Sequence, residues 1–455
     1  MTIGSSIAPA GSHVSGGYQY FRTYSFAAVL LGVAFAVEMF APYFIWKRFL
    51  PGSVRWLADL ALLTMLGLVI VDLLLRDRIP KAFIFVIAMT VVWSTVAYFE
   101  GQAPEATVWG WWRLFRYPML GLFVFLQPTW PSKTGLRIYQ FCVGLLVFQT
   151  LFQLGQFAGG MIPSDDLSGT LGWHGVGPLA LFNFFVQCLA FGRFIVDGNW
   201  KPLALVVMVG ALSAVLSELK MFFPVMLVLA VITSAIYVLR GRQLGRLLFF
   251  YLFLVGVGVA FLFLYNALVS DLRGTKRFEE YFSSDTTNAY LENVNYEDTK
   301  GRYTLGNGFA LRYGWQLIQR DTTSFLFGMG LGARGESSSL GIVGSALVNG
   351  EYGITSGTSA LVFINEIGVV GLLACAIFFG TMIFLLIVQI RQDHESQSTV
   401  LRVGLILFTM LWPVWLWYHQ TWTFGTMMIP YWCSLGYVFH EANSPELDDE
   451  MERAT

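Results

Sequence analysis

Runs of about twenty mainly apolar residues recur along this sequence, and a helix of that length spans the hydrocarbon core of a bilayer. About twelve such runs can be read, at residues 24–46, 54–75, 80–99, 112–128, 137–159, 174–196, 201–217, 220–239, 245–268, 357–389, 400–418 and 421–440. The run 357–389 exceeds one straight crossing, so it is expected to tilt or protrude. Only 13% of the 455 residues are charged and 56% are hydrophobic, whereas a soluble domain carries about 25% charged residues. The expected fold class is therefore an all-α polytopic membrane protein with about twelve transmembrane helices.

Short loops rich in Lys and Arg stay in the cytoplasm. Residues 76–81 ("RDRIPK"), Lys133 with Arg137, Arg193 with Lys201, residues 240–246 ("RGRQLGR"), and Arg391 with Arg402 all fall on one side of the predicted bundle. Lys47, Arg48 and Arg55 fall on the other side and dissent. The expected order is a cytoplasmic tail at 1–23, nine spans in 24–268, a large outer loop at 269–356, three spans in 357–440 and an acidic cytoplasmic tail at 441–455. The Gly- and Ser-rich start lacks a signal-peptide pattern. Cys142, Cys188, Cys375 and Cys433 all sit in apolar runs and read as membrane-packed thiols. A net charge of -1 and the lack of a basic segment interleaved with aromatics argue against nucleic acid as a partner.

The long loop is rich in aromatic and aliphatic residues, enough to fold as an ordered cap. Within it, "GFALRYGWQLIQRD" spaces Leu311, Trp315 and Ile318 as one helical face, with Arg312, Gln316 and Arg320 at four-residue intervals on the other. The following "FGMGLGARG" turns tightly, and Gly328 and Gly330 can expose backbone N–H groups. Arginine forks beside exposed amides suit a phosphate; an interfacial helix whose arginines touch lipid headgroups has the same pattern.

Other charges gather toward the same side. Arg113 and Arg116 open the fourth predicted span behind "WGWW", as headgroup anchors or as part of a site. Glu218 and Lys220 share a hairpin too short to leave the membrane surface, as a simple pair or as functional groups. His174 precedes Asn183 and Gln187 and is either a hydrogen-bonded interfacial residue or a base. Gln149, Gln153 and Gln156 form one stripe on the fifth span; with Glu38 and Asp59 they either line a polar route or glue helices together, and glue is preferred. No phosphate-binding P-loop, no zinc-type His and Cys spacing and no paired acidic metal motif occurs, so neither ATP chemistry nor a metal is expected.

The sequence resembles the O-antigen ligase and polymerase superfamily of bacterial membrane transferases. Four segments carry the resemblance, in family order, over roughly residues 165–375. They are "SGTLGWHGVGPLALF", "LSELKMFFPVML" with Lys220 where many members have arginine, "LRYGWQLIQRDTTSFLFGMGLG" with fifteen residues between Arg312 and Gly328, and "LVFINEIGVVGLLACAIF" containing Glu366. Ligase members usually carry a histidine shortly before the glutamate, where this chain has Gly357, Thr358 and Ser359. That departure favours a polymerase.

The resemblance implies a helical membrane glycosyltransferase of the GT-C-like kind in the bacterial inner membrane, with both termini cytoplasmic. Its substrates would be undecaprenyl-diphosphate-linked oligosaccharides as donor and acceptor, with no cofactor or metal, and with a chain-length regulator and a flippase as companions. A sugar hydroxyl of one repeat would attack the anomeric carbon of another chain as the lipid diphosphate leaves, with inversion. Arg312, with Arg302, Arg320, Lys220, Gly328 and Gly330, would hold the diphosphate, and loss of one such donor typically costs about 3 kcal/mol. His174, Glu218 and Glu366 are the candidate bases, in that order. The same span count also suits a ligase acting on lipid A core or protein, or a flippase or secondary transporter, although no internal repeat is evident.

Overall fold

The computed structural model describes residues 24–75, 81–127, 130–131, 133–239, 244–297, 302–337, 339–348, 352, 355–392 and 398–442. The predicted tail 1–23, most of the acidic tail 441–455, and the basic segments 76–80 and 240–243 lie outside the described residues.

Each predicted apolar run holds a helix. These are α1 (Tyr24–Trp46), α2 (Trp56–Leu74), α3 (Lys81–Phe99), α4 (Pro104–Phe125), α5 (Thr134–Ala158), α6 (Val176–Asp197), α7 (Trp200–Leu216), α8 (Phe222–Leu239) and α9 (Leu244–Tyr265). After the long polar segment come α13 (Ser359–Gln392), α14 (Thr399–Met410), α15 (Trp412–Tyr418) and α16 (Gly425–Ala442). Among the described residues six helices are long and apolar enough to cross a membrane, or seven if α14 and α15, bent by 52°, count as one span. Three shorter apolar helices, Phe83–Phe99, Trp200–Leu216 and Phe222–Val238, add to these. The chain is a multi-pass helical membrane protein.

Two local features depart from the sequence reading. Pro104, whose missing N–H costs nothing at a helix start, begins α4 eight residues before the predicted 112, so Arg113 and Arg116 lie inside the helix and do not open it. The long run 357–389 does not simply tilt: α13 breaks at Gly368, whose φ of 59° and ψ of -166° are non-helical.

The core forms around α6, which is buried along nearly its whole length. It meets α14 at Gly192 and Gly404, where a Cβ on Gly192 would come within 2.7 Å of the Gly404 nitrogen. Small residues allow this backbone approach, a common device where helices pack in lipid. The glutamine stripe proves to be glue. Gln149 donates to Thr170 Oγ1 and accepts from its N–H, Gln153 donates to Leu167 O at 2.7 Å, and Gln156 exchanges two hydrogen bonds with the backbone of Gly169. Backbone groups of the 164–172 loop are thereby satisfied where water is scarce.

Between α9 and α13 the chain folds a segment, termed the cap for its place in the chain, with helices α10 (Ser284–Glu292), α11 (Asn307–Ile318) and α12 (Thr322–Phe327). Strands β1 (Val294–Glu297) and β2 (Arg302–Leu305) pair antiparallel, and β5 (Thr355–Ser356) joins β2 in parallel. A short ladder joins β3 (Glu336–Ser337) to β4 (Ile342–Val343). The cap has a small core of Leu305, Ala310, Tyr313 and Leu317, closed by Leu361 of α13.

The helix predicted around Arg312 is present as α11, but its buried face differs from the expected one. Ala310, Tyr313, Gly314, Leu317 and Ile318 are buried, whereas Leu311 and Trp315 are exposed beside Arg312. The cause is Gly314: a Cβ there would lie 2.6 Å from Leu361 Cδ1, so the glycine side of the helix is the one that can approach α13. Hydropathy alone points to the tryptophan side.

Candidate functional site

At the foot of the cap, the glycine segment inserts between α3, α4 and the break in α13. Gly328, Gly330 and Gly332 all have positive φ, from 75° to 85°. Each also presses on a neighbouring backbone. A Cβ on Gly328 would lie 2.7 Å from the Gly368 nitrogen, one on Gly330 2.3 Å from Ala97 Cα, and one on Gly332 1.9 Å from Ala106 O. Trp93 Nε1 donates to Phe327 O at 2.9 Å and to Ile367 O at 3.0 Å, and Trp109 Nε1 donates to Glu336 O at 3.0 Å. Gln102 ties the same segment through Met329 O and Ser345. The glycines therefore serve close packing, and the Met329 N–H is already spent on Asn365 O at 2.6 Å. This corrects the expectation that Gly328 and Gly330 frame a bare anion nest.

What the packing creates is a buried charged corner. Glu366, whose side chain is only 4% exposed, accepts from Arg113 Nη2 at 2.8 Å and from the Arg334 backbone N–H at 3.1 Å. Arg113 also donates to Arg334 O at 3.2 Å. The Arg334 guanidinium donates to Asn365 Oδ1 at 3.4 Å, and Asn365 Nδ2 reaches back to Gly314 O at 2.8 Å. Burial pushes the Arg334 guanidinium down to about 10, with Glu366 pulling the other way and Arg113 adding to the fall. It stays charged at neutral pH but with little water around it. An anion placed here would be bound by dipoles and charges already fixed in place.

Elsewhere, Arg116 donates to Asp59 Oδ1 at 3.0 Å and to Thr423 O at 3.2 Å, while Trp112 Nε1 donates to Asp59 Oδ1 at 3.1 Å. Gly425, at the start of α16, packs directly on the Glu38 carboxyl. These intramembrane acids read as interhelical ties of α1, α2, α4 and α16.

The sequence-predicted site residues do not form one cluster. Arg312 is 63% exposed on the outer face of α11 and pairs with Glu292 of α10. Arg320 is exposed just beyond the same helix. The side chain of Arg302, at the start of β2, lies outside the described residues. His174 is exposed, stacks on Trp173 at 4.5 Å and faces Asp166, its Nδ1 3.5 Å from that carboxylate. Glu218 and Lys220 form an ion pair across their hairpin, at 3.1 Å, and Arg273 joins Glu218 from the other side. Of the predicted residues whose side chains are described, Glu366 alone lies in the buried corner; Gly328 packs on its backbone, and Gly330 packs on Ala97 of α3.

Sequence reading overlooked Arg334, Asn365 and His419. Arg334 sits in a glycine-rich turn where no periodicity marks burial, although an arginine flanked only by small residues was a visible signal. His419, between α15 and α16, rests against Gly177, and burial pushes its imidazole down to about 4. Its carbonyl accepts from the Ser359 N–H at 2.9 Å. No model of a known protein family matches this chain, and no curated protein matches it either.

Proposed function

We propose that the protein is a membrane glycosyltransferase that joins polyprenyl-diphosphate-linked oligosaccharide repeats into a longer glycan, working at the extracytoplasmic face of the bacterial inner membrane. One observation carries this reading: the guanidinium of Arg113 from the bundle and the backbone N–H of Arg334 from the cap meet at a single buried carboxylate, Glu366, with the Arg334 guanidinium on the adjacent Asn365. The diphosphate role implied for Arg312 passes to these two residues, because an exposed arginine already paired with Glu292 is screened by water and adds little.

In the proposed step, a hydroxyl oxygen of the acceptor sugar bonds to the anomeric carbon of the donor chain. The bond from that carbon to the diphosphate oxygen breaks, its electron pair stays on the lipid diphosphate, and the hydroxyl proton passes to a base. Negative charge grows on the leaving group, so fixed guanidiniums in a water-poor corner favour the transition state over the ground state. Burial that lowers the Arg334 pKa also means that a bound anion strengthens its charged form. Glu366 holds both arginine residues in register and stands as the nearest candidate base within the corner.

The test is the purified protein mixed with a lipid-linked repeat, with products resolved by size. Arg113→Ala should shorten or abolish the ladder, with a rate loss on the order of a hundredfold. Arg113→Lys should recover little, since a point charge does not reproduce the planar fork. A full ladder from folded Arg113→Ala and Arg334→Ala proteins would end the assignment.

A second reading, transfer of the finished glycan to another acceptor, draws on His419. The ligase pattern asks for a histidine ahead of the glutamate, and the backbone of His419 bonds Ser359 in that approach. Transfer to a non-lipid-linked acceptor that is lost in His419→Gln would favour it.

A further inference from the structure

We infer that the turn joining α1 to α2 is a docking site for the headgroup of an anionic phospholipid, separate from the Arg113 corner. Both helices are long and apolar enough to cross a membrane, so residues 47–51 between them lie at the bilayer surface. Trp46 and Trp56 flank the turn, as aromatic residues do where lipid meets water. The turn shares the cap's end of the bundle. Gly172 packs against Pro42 near the end of α1, the Ser164 N–H of the same loop donates to Leu216 O at 3.2 Å, and Glu218 just beyond pairs with Arg273 at the root of the cap.

The turn carries positive charge with nothing in the protein to balance it. Lys47, Arg48 and Arg55 lie close together, and residues 39–58 contain no Asp or Glu. All three are exposed, and among the described residues none forms an ion pair with a carboxylate. Asp59, the next acid along the chain, is taken by Arg116 and Trp112. By contrast Arg113, Lys220, Arg273 and Arg312, at the same end of the bundle, each hold a carboxylate. Cations left unpaired at the depth of the lipid headgroups are matched by an anion that the membrane itself supplies.

Arg48 is the most telling of the three. Its φ is 61°, just past the end of α1, at the position where glycine ends a helix at least cost. A residue with a Cβ is strained there, and the turn is held in that shape by the Phe49 and Leu50 N–H groups, which donate to Phe44 O at 2.8 and 3.2 Å. The arginine side chain adds no ion pair to the fold; what it adds is a charge at the water edge. Around it Phe49, Leu50, Trp56 and Leu57 are exposed and offer apolar surface for acyl chains, while the Lys47 ammonium lies 4.1 Å from the Trp46 ring centroid, within the aromatic belt. Cations ringed by exposed apolar side chains suit a phosphate attached to a lipid better than an acidic protein surface.

The experiment uses the full-length protein in phosphatidylcholine nanodiscs that contain a phosphatidylglycerol analogue with a photoreactive headgroup. Adducts are mapped by peptide mass spectrometry, without turnover, so the outcome is independent of the polymerase reading. They should concentrate on residues 44–57 and be competed by phosphatidylglycerol, but not by added phosphatidylcholine, diacylglycerol or inorganic phosphate. Arg55→Gln should weaken that competition about fivefold, the worth of one cation near an anionic surface. Arg48→Gly should weaken it to a similar degree while raising the Tm, because it removes the charge and also relieves the left-handed backbone. Adducts spread evenly over the lipid-facing surface, labelling unchanged in both variants, or a lower Tm in Arg48→Gly would overturn the site. Competition by undecaprenyl phosphate at a lower mole fraction than phosphatidylglycerol would overturn the phospholipid as occupant and put the carrier lipid in its place.

Discussion

Arg312 and Arg334 belong to one short arginine- and glycine-rich segment, yet they occupy opposite environments. Arg312 lies on the outer face of α11, mostly in solvent and paired with a partly exposed glutamate. Arg334 is 5% exposed, wedged among α4, α13 and its own glycine turn. The difference teaches that in a charge-poor membrane protein an arginine's value for chemistry depends on what excludes water from it, since the same charge pair gains several-fold in strength as the effective dielectric falls.

The largest expected effect comes from Gly332→Ala. The new methyl would collide with Ala106 O in a left-handed backbone, and strain with overpacking together cost about 2–6 kcal/mol. Thermal unfolding in detergent should show a much lower Tm together with lost activity. An unchanged Tm would mean that the cap foot is not packed as described. Next, Arg113→Ala should slow turnover on the order of a hundredfold while Arg312→Ala costs less than about threefold, a contrast read in one product-ladder assay. Equal losses would erase the distinction between foot and outer face.

Acid should act through His419, a buried imidazole outside the corner. Its folded pKa of about 4 lies below the ordinary value of 6.5, so between those values the unfolded chain binds the extra proton. Stability is therefore full above about 6.5 and declines as pH falls toward 4. The Tm of the wild type should drop over that interval, and His419→Gln should flatten the curve. A variant with the same slope as wild type would show that another group controls it. The smallest effect belongs to the outer face: Glu292→Gln should shift stability by under about 1 kcal/mol, as exposed ion pairs do, and the shift should shrink further in high salt.

Much of the helical frame was legible because hydropathy is a local sum: residues 24–46, 137–159 and 174–196 became α1, α5 and α6 with ends displaced by three residues or fewer. The glutamine stripe was legible too, since a polar row on an apolar helix must find partners within the bundle. The candidate site was read less well. Arg312 stood out by its helical spacing, but the spacing could not say which face Gly314 would press onto α13. Arg334 and Asn365 carry no periodic signal, and their roles depend on a break at Gly368 that hydropathy merges into one long run.

From its sequence alone this chain is committed to a many-helix membrane bundle, because no other fold satisfies so many apolar residues and their backbone groups in lipid. Which helix lies at the centre, where α13 breaks, and which arginine loses its water were decided only in three dimensions. Burial is a property of two surfaces in contact, and a single segment carries only one of them.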